Sequence, residues 1–327
     1  MKKFIIITTI NKETKGIKKF SEFKDWHIIL VGDKKSKPIK TRKNITFLSI
    51  KDQKKLNFEI NKNLPYNHYS RKNIGYLYAI KMGADIIYDT DDDNIPYKDW
   101  SFPKFETKNY ITCNKKFLNI YKYFTKEKVW PRGYPLSEIN KKQKISIKRT
   151  TKTKIGIWQG LADIEPDVDA IFRLTKEKQI IFNKKSPIVL DKKTYCPINS
   201  QNTVWNKEFF PFLYLPSTVS FRFTDILRGY IAQRLLRQTD HHLGFTKSTV
   251  YQERNVHDFM KDFRDEIEVY LNTEPIIKII DNLNLGKNYL KNLEKIYKEL
   301  EKNNFIQPEE LTLCRAWVKD LNNINNL

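Results

Sequence analysis

The chain is poor in cysteine and glycine, carries far fewer acidic than basic residues, and has no long apolar run. Its three cysteines, Cys113, Cys196 and Cys314, stand far apart with no C-x-x-C spacing. An odd, dispersed set argues against a disulfide framework or a cysteine zinc site and fits a reducing compartment, so a cytoplasmic location is expected. Nothing approaches ~18 continuous apolar residues, so no transmembrane anchor is expected. The N-terminal stretch MKKFIIITTINKET has an apolar core of about seven residues with no small-residue cleavage site behind it, and reads as a buried first strand instead of a signal peptide. After that run, TTINKETKG has its sole glycine at position 16. That counts against the Gly-rich G-x-G-x-x-G-x-R type of loop that a nucleotidyltransferase would place there. Asp and Glu number 38 against 60 Lys and Arg, a formal net charge of +22. The excess has two readings. One is a polyanionic partner: nucleic acid, an anionic membrane or a phosphorylated substrate. The other is a Lys-rich composition, since lysine is spread along the whole chain and arginine, the usual residue of nucleic-acid footprints, is scarce.

What is present is a folding chain. Apolar residues make up 40% and aromatics 13% of 327 residues, enough for one large α/β domain or a domain with a small appendage. FIIITTI (4–10), WHIILVGD (26–33) and the weaker ITFLSI (45–50) are β-branched apolar runs of the kind that is covered on both faces. Ser70 is placed to cap a helix running to about Met82, with Gly83 as its stop. ADIIY (84–88) follows as a fourth strand. The stretch from about 98 to 215 is less periodic and predicts loops and short strands. TDILRGYIAQRLLR (224–237) is helical, with Ile226, Leu227, Tyr230, Ile231 and Leu235 on one stripe. From about 255 onward the chain reads as successive amphipathic helices, 256–272, 275–283, 286–302 and 308–321. The pattern predicts an α/β, Rossmann-like fold with a mostly parallel central sheet flanked by helices. Residues 1–245 would form the main domain, nucleotide half about 1–100 and acceptor half about 101–245, and 246–327 a helical extension packed on it.

GADIIYDTDDDNIPY (83–97) places Asp89, Asp91, Asp92 and Asp93 at the carboxyl end of the fourth strand, where open α/β sheets bind ligands. A calcium loop of the EF-hand kind needs Gly at its sixth position and Glu at its twelfth, and here those are Asn94 and Trp100. A solvated turn is a second reading, disfavoured by the apolar strand that feeds the cluster. The third is a Mg²⁺ or Mn²⁺ site for a diphosphate, with Asp91 and Asp93 sharing the ion. Arg71-Lys72-Asn73, at the start of the preceding helix, would suit a phosphate or nucleotide.

YSRKNIGYLYAIKMGADIIYDTDDDN resembles the nucleotide-binding half of a GT-A glycosyltransferase with its Asp-x-Asp motif. More narrowly it resembles the STELLO-type (DUF288) glycosyltransferases. The likeness continues through WPRGYPL (130–136), IWQGLADIEPDVDAIFRLT (157–175), NSQNTVW (199–205), LYLPSTVSFRFTDILRGYIAQRLL (213–236) and QERNVHDFMKDF (252–263). The resemblance implies transfer of a sugar from a nucleotide-diphosphate sugar, a UDP-sugar first among them, to an acceptor hydroxyl. It assigns Thr8, Thr9, Asn11, Asp33, Arg71, Asn73, Asp91 and Asp92 to the donor nucleotide. Asp91, Asp93 and His257 would hold Mn²⁺ or Mg²⁺, with His241 and His242 as further histidine candidates. Asp225 would be the general base. Trp158, Asp163, Arg222 and Arg228 would form the acceptor or sugar wall. Two alternatives stand beside this one: a glycosyltransferase acting on modified bases of DNA, which the basic charge fits, and a catalytically silent scaffold or binding protein.

Overall fold

The computed structural model describes residues 1–113, 115–176, 178–253 and 258–325. In chain order the strands are β1 (Lys3–Thr8), β2 (His27–Val31), β3 (Ile45–Leu48), β4 (Ile86–Thr90), β5 (Asn94–Pro96), β6 (Glu106–Cys113), β7 (Ile145–Asp163), β8 (Ile188–Val189), β9 (Asn202–Asn206) and β10 (His242–Gln252). They make a ten-stranded sheet in the order β3-β2-β1-β4-β9-β7-β10-β5, with β6 on β7 and β8 on β10. The pairs β2–β3, β1–β2, β1–β4 and β7–β10 are parallel, and β9 joins the two parallel groups as an antiparallel strand between β4 and β7.

The α/β fold read from the sequence is present, and the apolar runs have the physical basis expected of them. Successive side chains of a strand point to opposite faces. Phe4, Ile6, Ile29, Val31 and Ile87 enter one core; Ile5, Ile7, Ile28, Leu30 and Tyr88 enter the other. On the first face lies the helix Lys72–Lys81, on the second the short helix Lys15–Phe20. Gly75 sets the helix-to-sheet distance: a Cβ there would stand 2.6 Å from Val31 Cγ2 and 2.7 Å from Ile6 Cγ2.

Four local readings differ from the structure, one of them the break expected between helices 256–272 and 275–283, which falls inside the helix Ile267–Asp281. The helix that precedes the aspartate strand begins with a 3₁₀ turn, Tyr69–Arg71, and the cap of that turn is His68, whose Nδ1 accepts from Ser70 N at 3.1 Å. The middle region holds a nineteen-residue strand, β7, where short strands and loops were expected. All thirteen residues of the helix Thr224–Leu236 are buried, not only one stripe, because it lies between the sheet and the C-terminal helices. Those helices are Phe259–Asp265, Ile267–Asp281, Tyr289–Lys302 and Pro308–Asn325. They share the larger core with the sheet, and position 245 lies within β10. Among the described residues no helix is long and apolar enough to cross a membrane.

Candidate functional site

A cavity of about 520 Å³ opens at the carboxyl ends of β1, β2 and β4. Thr8, Thr9, Asn11, Asp33, Asp91, Asp92, Asp93, Arg222 and Asp225 line it, and these residues were all singled out from the sequence. β4 ends at Thr90, so Asp91 to Asp93 turn off the strand into the opening while Asp89 stays inside the sheet. Asp92 faces the β1 side: Thr9 Oγ1 donates to its carboxylate, as does Asn11 Nδ2 at 3.0 Å. Asp33 accepts from the backbone N–H of Lys34 at 2.7 Å and of His68 at 3.2 Å. Burial holds the His68 imidazole below its ordinary value, against the pull of Asp33.

Asp91 is the electrostatic centre of the floor. Its Oδ1 accepts from Tyr69 Oη at 2.7 Å and from Lys72 Nζ at 3.2 Å, while 34% of the side chain stays exposed to the opening. Burial, with the like charges of Asp93 and Asp89 behind it, pushes the Asp91 carboxyl up to about 7; Lys72 and Tyr69 pull the other way. Lys72 is fully buried and spends its charge on Asp89, 2.7 Å away, as well as on Asp91. Asp93 accepts from Gln252 Nε2, at the end of β10, at 2.6 Å.

The opposite wall is built around Arg132, which sequence reasoning did not single out. Its Nε and Nη2 donate to Asp167 at 2.8 and 2.9 Å, and Nη2 also reaches both Asp225 oxygens at 3.1 Å. Burial works against the guanidinium charge, but Asp167 and Asp225 outweigh it and hold Arg132 well above its ordinary range. Asp225 accepts a further bond from Ser200 N at 3.1 Å, so its carboxylate is fixed in orientation. Arg222 is committed to the buried Glu266, with Nε and Nη2 at 2.9 and 2.7 Å. The signal for Arg132 was WPRGYPL itself: Gly133 takes φ +85°, and a Cβ there would stand 2.5 Å from Ile226 Cγ2, so the turn presenting Arg132 needs glycine. Tyr69, Gln201 and Gln252 also line the cavity and were missed as individual site residues; Asp167, which lines it too, belongs to the acidic run GLADIEPDVDA in which the sequence suggested a sugar wall.

Five expected site residues lie elsewhere. Arg71 turns away from the helix start and donates to Gln53 and, at 2.8 Å, to Asn61. Asn73 brackets the backbone of Leu215, at 2.8 and 2.9 Å. Arg228 lies under the floor, 2.8 Å from Asp89 and 2.8 Å from Ser200 Oγ. Trp158 is fully buried in the core against Gly244, its indole N–H donating to Lys104 O at 3.2 Å. Asp163, at the end of β7, ties Tyr97, Ser248 and Phe182 together beneath the surface. His257 lies outside the described residues. His241 and His242 stand at the start of β10, at the other end of the strand from Gln252. Among the described residues no three His, Cys, Asp or Glu side chains converge as a complete metal cage.

A cavity at the carboxyl ends of parallel strands is the layout in which open α/β sheets bind their ligands. Residues 222–326 match the family model of the STELLO glycosyltransferases. The chain is also 27% identical, over 98% of its length, to the proteins named probable glycosyltransferase STELLO1 and probable glycosyltransferase STELLO2 of Arabidopsis thaliana. The aligned region is 44% of each of those relatives, so this chain spans less than half their length. The resemblance read from the sequence is thus borne out, and it runs through both walls of the cavity.

Proposed function

We propose that this chain is a GT-A-type glycosyltransferase that takes a sugar from a nucleotide-diphosphate sugar, with UDP as the nucleotide, and passes it to an acceptor hydroxyl. One observation carries the reading: the cavity is acidic in a chain of net charge +22. Asp33, Asp91, Asp92, Asp93, Asp167 and Asp225 line it against Lys35, Arg132 and Arg222. Two of those three cations are already spent, Arg132 on Asp167 and Asp225, Arg222 on Glu266. Such a cavity calls for an added cation, and the donor set fits a hard divalent one. Asp91 and Asp93 are carboxylates, and Asp91 carries its charge at a cost that a bound cation would relieve. Bound there, Mn²⁺ or Mg²⁺ would neutralise the donor's diphosphate and make it a better leaving group.

The chain's own residues do the rest. Thr8, Thr9, Asn11 and Asp33 meet the nucleotide at the ends of β1 and β2. The acceptor oxygen attacks the anomeric carbon, the bond from that carbon to the phosphate oxygen breaks, and the diphosphate leaves with the electron pair. Asp225 accepts the acceptor's proton, and Arg132 and Ser200 hold its carboxylate toward the cavity.

The test is a melting-temperature series with UDP and UDP-sugars, each with Mn²⁺, Mg²⁺ or EDTA, followed by mass spectrometry of the products. UDP should stabilise the chain only with metal. Asp91→Ala and Asp93→Ala should remove that stabilisation and keep the fold. Nucleotide binding that survives both substitutions overturns the assignment.

A further inference from the structure

We infer that Phe221 is the surface on which a saccharide acceptor lies, and that the C-terminal helices hold it in place. The inference rests on the glycosyltransferase reading and adds the acceptor's chemical class to it. Phe221 lines the cavity with 56% of its surface exposed. A solitary exposed phenylalanine on a loop is commonplace, but this one stands on a segment tied down at both sides. Before it, Ser217 N and Thr218 N each donate to Glu310 at 2.7 Å, and Ser220 N donates to Glu268 at 2.7 Å. After it, Arg222 is held by Glu266. All three carboxylates come from the C-terminal layer: Glu266 and Glu268 at the start of the helix Ile267–Asp281, Glu310 in the helix Pro308–Asn325.

On its inner side the Phe221 ring meets Tyr69 edge-on, with centroids 5.6 Å apart and planes at 71°. Tyr69 in turn donates to Asp91. The ring therefore stands over the floor, in the same opening as Asp225, Asp167 and Arg222. A sugar ring has an apolar C–H face and a rim of hydroxyls. One exposed aromatic face beside carboxylates matches both. A lipid chain would need a continuous apolar wall, and the other aliphatic groups of the lining, Ile10 and Val31, sit at the ends of β1 and β2. Trp158, expected from the sequence in the sugar wall, is in the core and leaves an aromatic role there to Phe221.

The experiment is saturation-transfer NMR on the full chain with UDP and Mg²⁺, using methyl β-D-glucopyranoside and methyl β-D-galactopyranoside as probes. Ring C–H protons of at least one probe should be saturated in the wild type. The signal should fall severalfold in Phe221→Ala, persist in Phe221→Tyr, and fall partway in Glu268→Ala, which releases Ser220 N–H without altering a cavity residue. Sugar saturation that is equal in wild type and Phe221→Ala, or absent from the wild type, overturns the inference. A Phe221-dependent sugar signal with no UDP signal would support the platform and sink the nucleotide-donor reading instead.

Discussion

Asp91 concentrates the chemistry of the floor into one titratable group. Burial raises its carboxyl from an ordinary 3.8 to about 7. The folded chain therefore holds this proton more tightly than the unfolded chain does. The stability that follows is complete below about pH 3.8 and is lost as pH rises through 7. Asp91→Asn keeps an oxygen for Tyr69 and Lys72 and removes the charge. In EDTA at pH 8 the variant should melt higher than the wild type, by a rise on the order of 2 °C for a chain of this size. The difference should shrink toward zero as pH approaches 4. Melting curves across that range check it, and a variant less stable than wild type at pH 8 contradicts the assigned cost of the charge. Residues near strand ends were legible in the sequence because a strand's end fixes where the next few residues go: Thr8, Thr9, Asp33 and Asp91 to Asp93 all reach the cavity. Arg71, Asn73 and Arg228 were not legible. Their partners, Gln53, Leu215 and Asp89, are brought to them by tertiary packing, and a polar or charged residue in the first turns of a helix reads the same whether it faces a ligand or a buried protein group.

At the scale of elements, the C-terminal helices act on the body of the fold through buried carboxylates. Asp320 is one: its two oxygens accept from Glu59 N at 2.7 Å and Ile60 N at 2.9 Å. The last helix thus caps the 3₁₀ turn Glu59–Lys62 from more than 250 residues away, a service usually given by the residue just before a helix. Asp320→Ala would leave both donors without this acceptor and should cost about 1–3 kcal/mol. Urea titration should show a lower midpoint with an unchanged slope. A midpoint equal to wild type would mean that water replaces the carboxylate at no cost. No local pattern announces such a cap, because Asp320 reads as an ordinary polar position of an amphipathic helix. β7 was missed for a related reason. Its first half, ISIKRTTKTK, is mostly polar, with Ile145 and Ile147 its only aliphatic residues, and pairs with β6 off the main strand order, and its second half, IGIWQGLAD, enters the core between β9 and β10. The first four strands, covered on both sides, announced themselves as apolar runs.

For the whole molecule the question is whether sheet and C-terminal helices unfold together. Ile6 and Ile29 from the sheet, Ile226 and Tyr230 from the central helix, and Ile277, Ile296 and Trp317 from the C-terminal layer belong to one continuous core. Polar bonds cross the same boundary: Trp317 Nε1 donates to Pro211 O at 3.1 Å, Arg234 Nε to Ile280 O at 2.8 Å, and Tyr195 Oη to Asp281 at 2.6 Å. Removing the outer helices would expose the apolar face of Thr224–Leu236 and free the loop that carries Phe221 and Arg222. At 327 residues the chain is longer than those for which one all-or-none transition is the default. The shared core nevertheless predicts a single calorimetric peak, with van't Hoff and calorimetric enthalpies close to each other. Two resolved peaks would mean that the sheet keeps its own stability once the helices have melted. In that case the helical layer is a separable module near the boundary expected at 246, and its hold on the Phe221 loop can be released without unfolding the acidic floor. A single peak ties the wall that carries Phe221 and Arg222 to the global fold, so that a substitution weakening the C-terminal layer would lower overall stability before it changed the cavity.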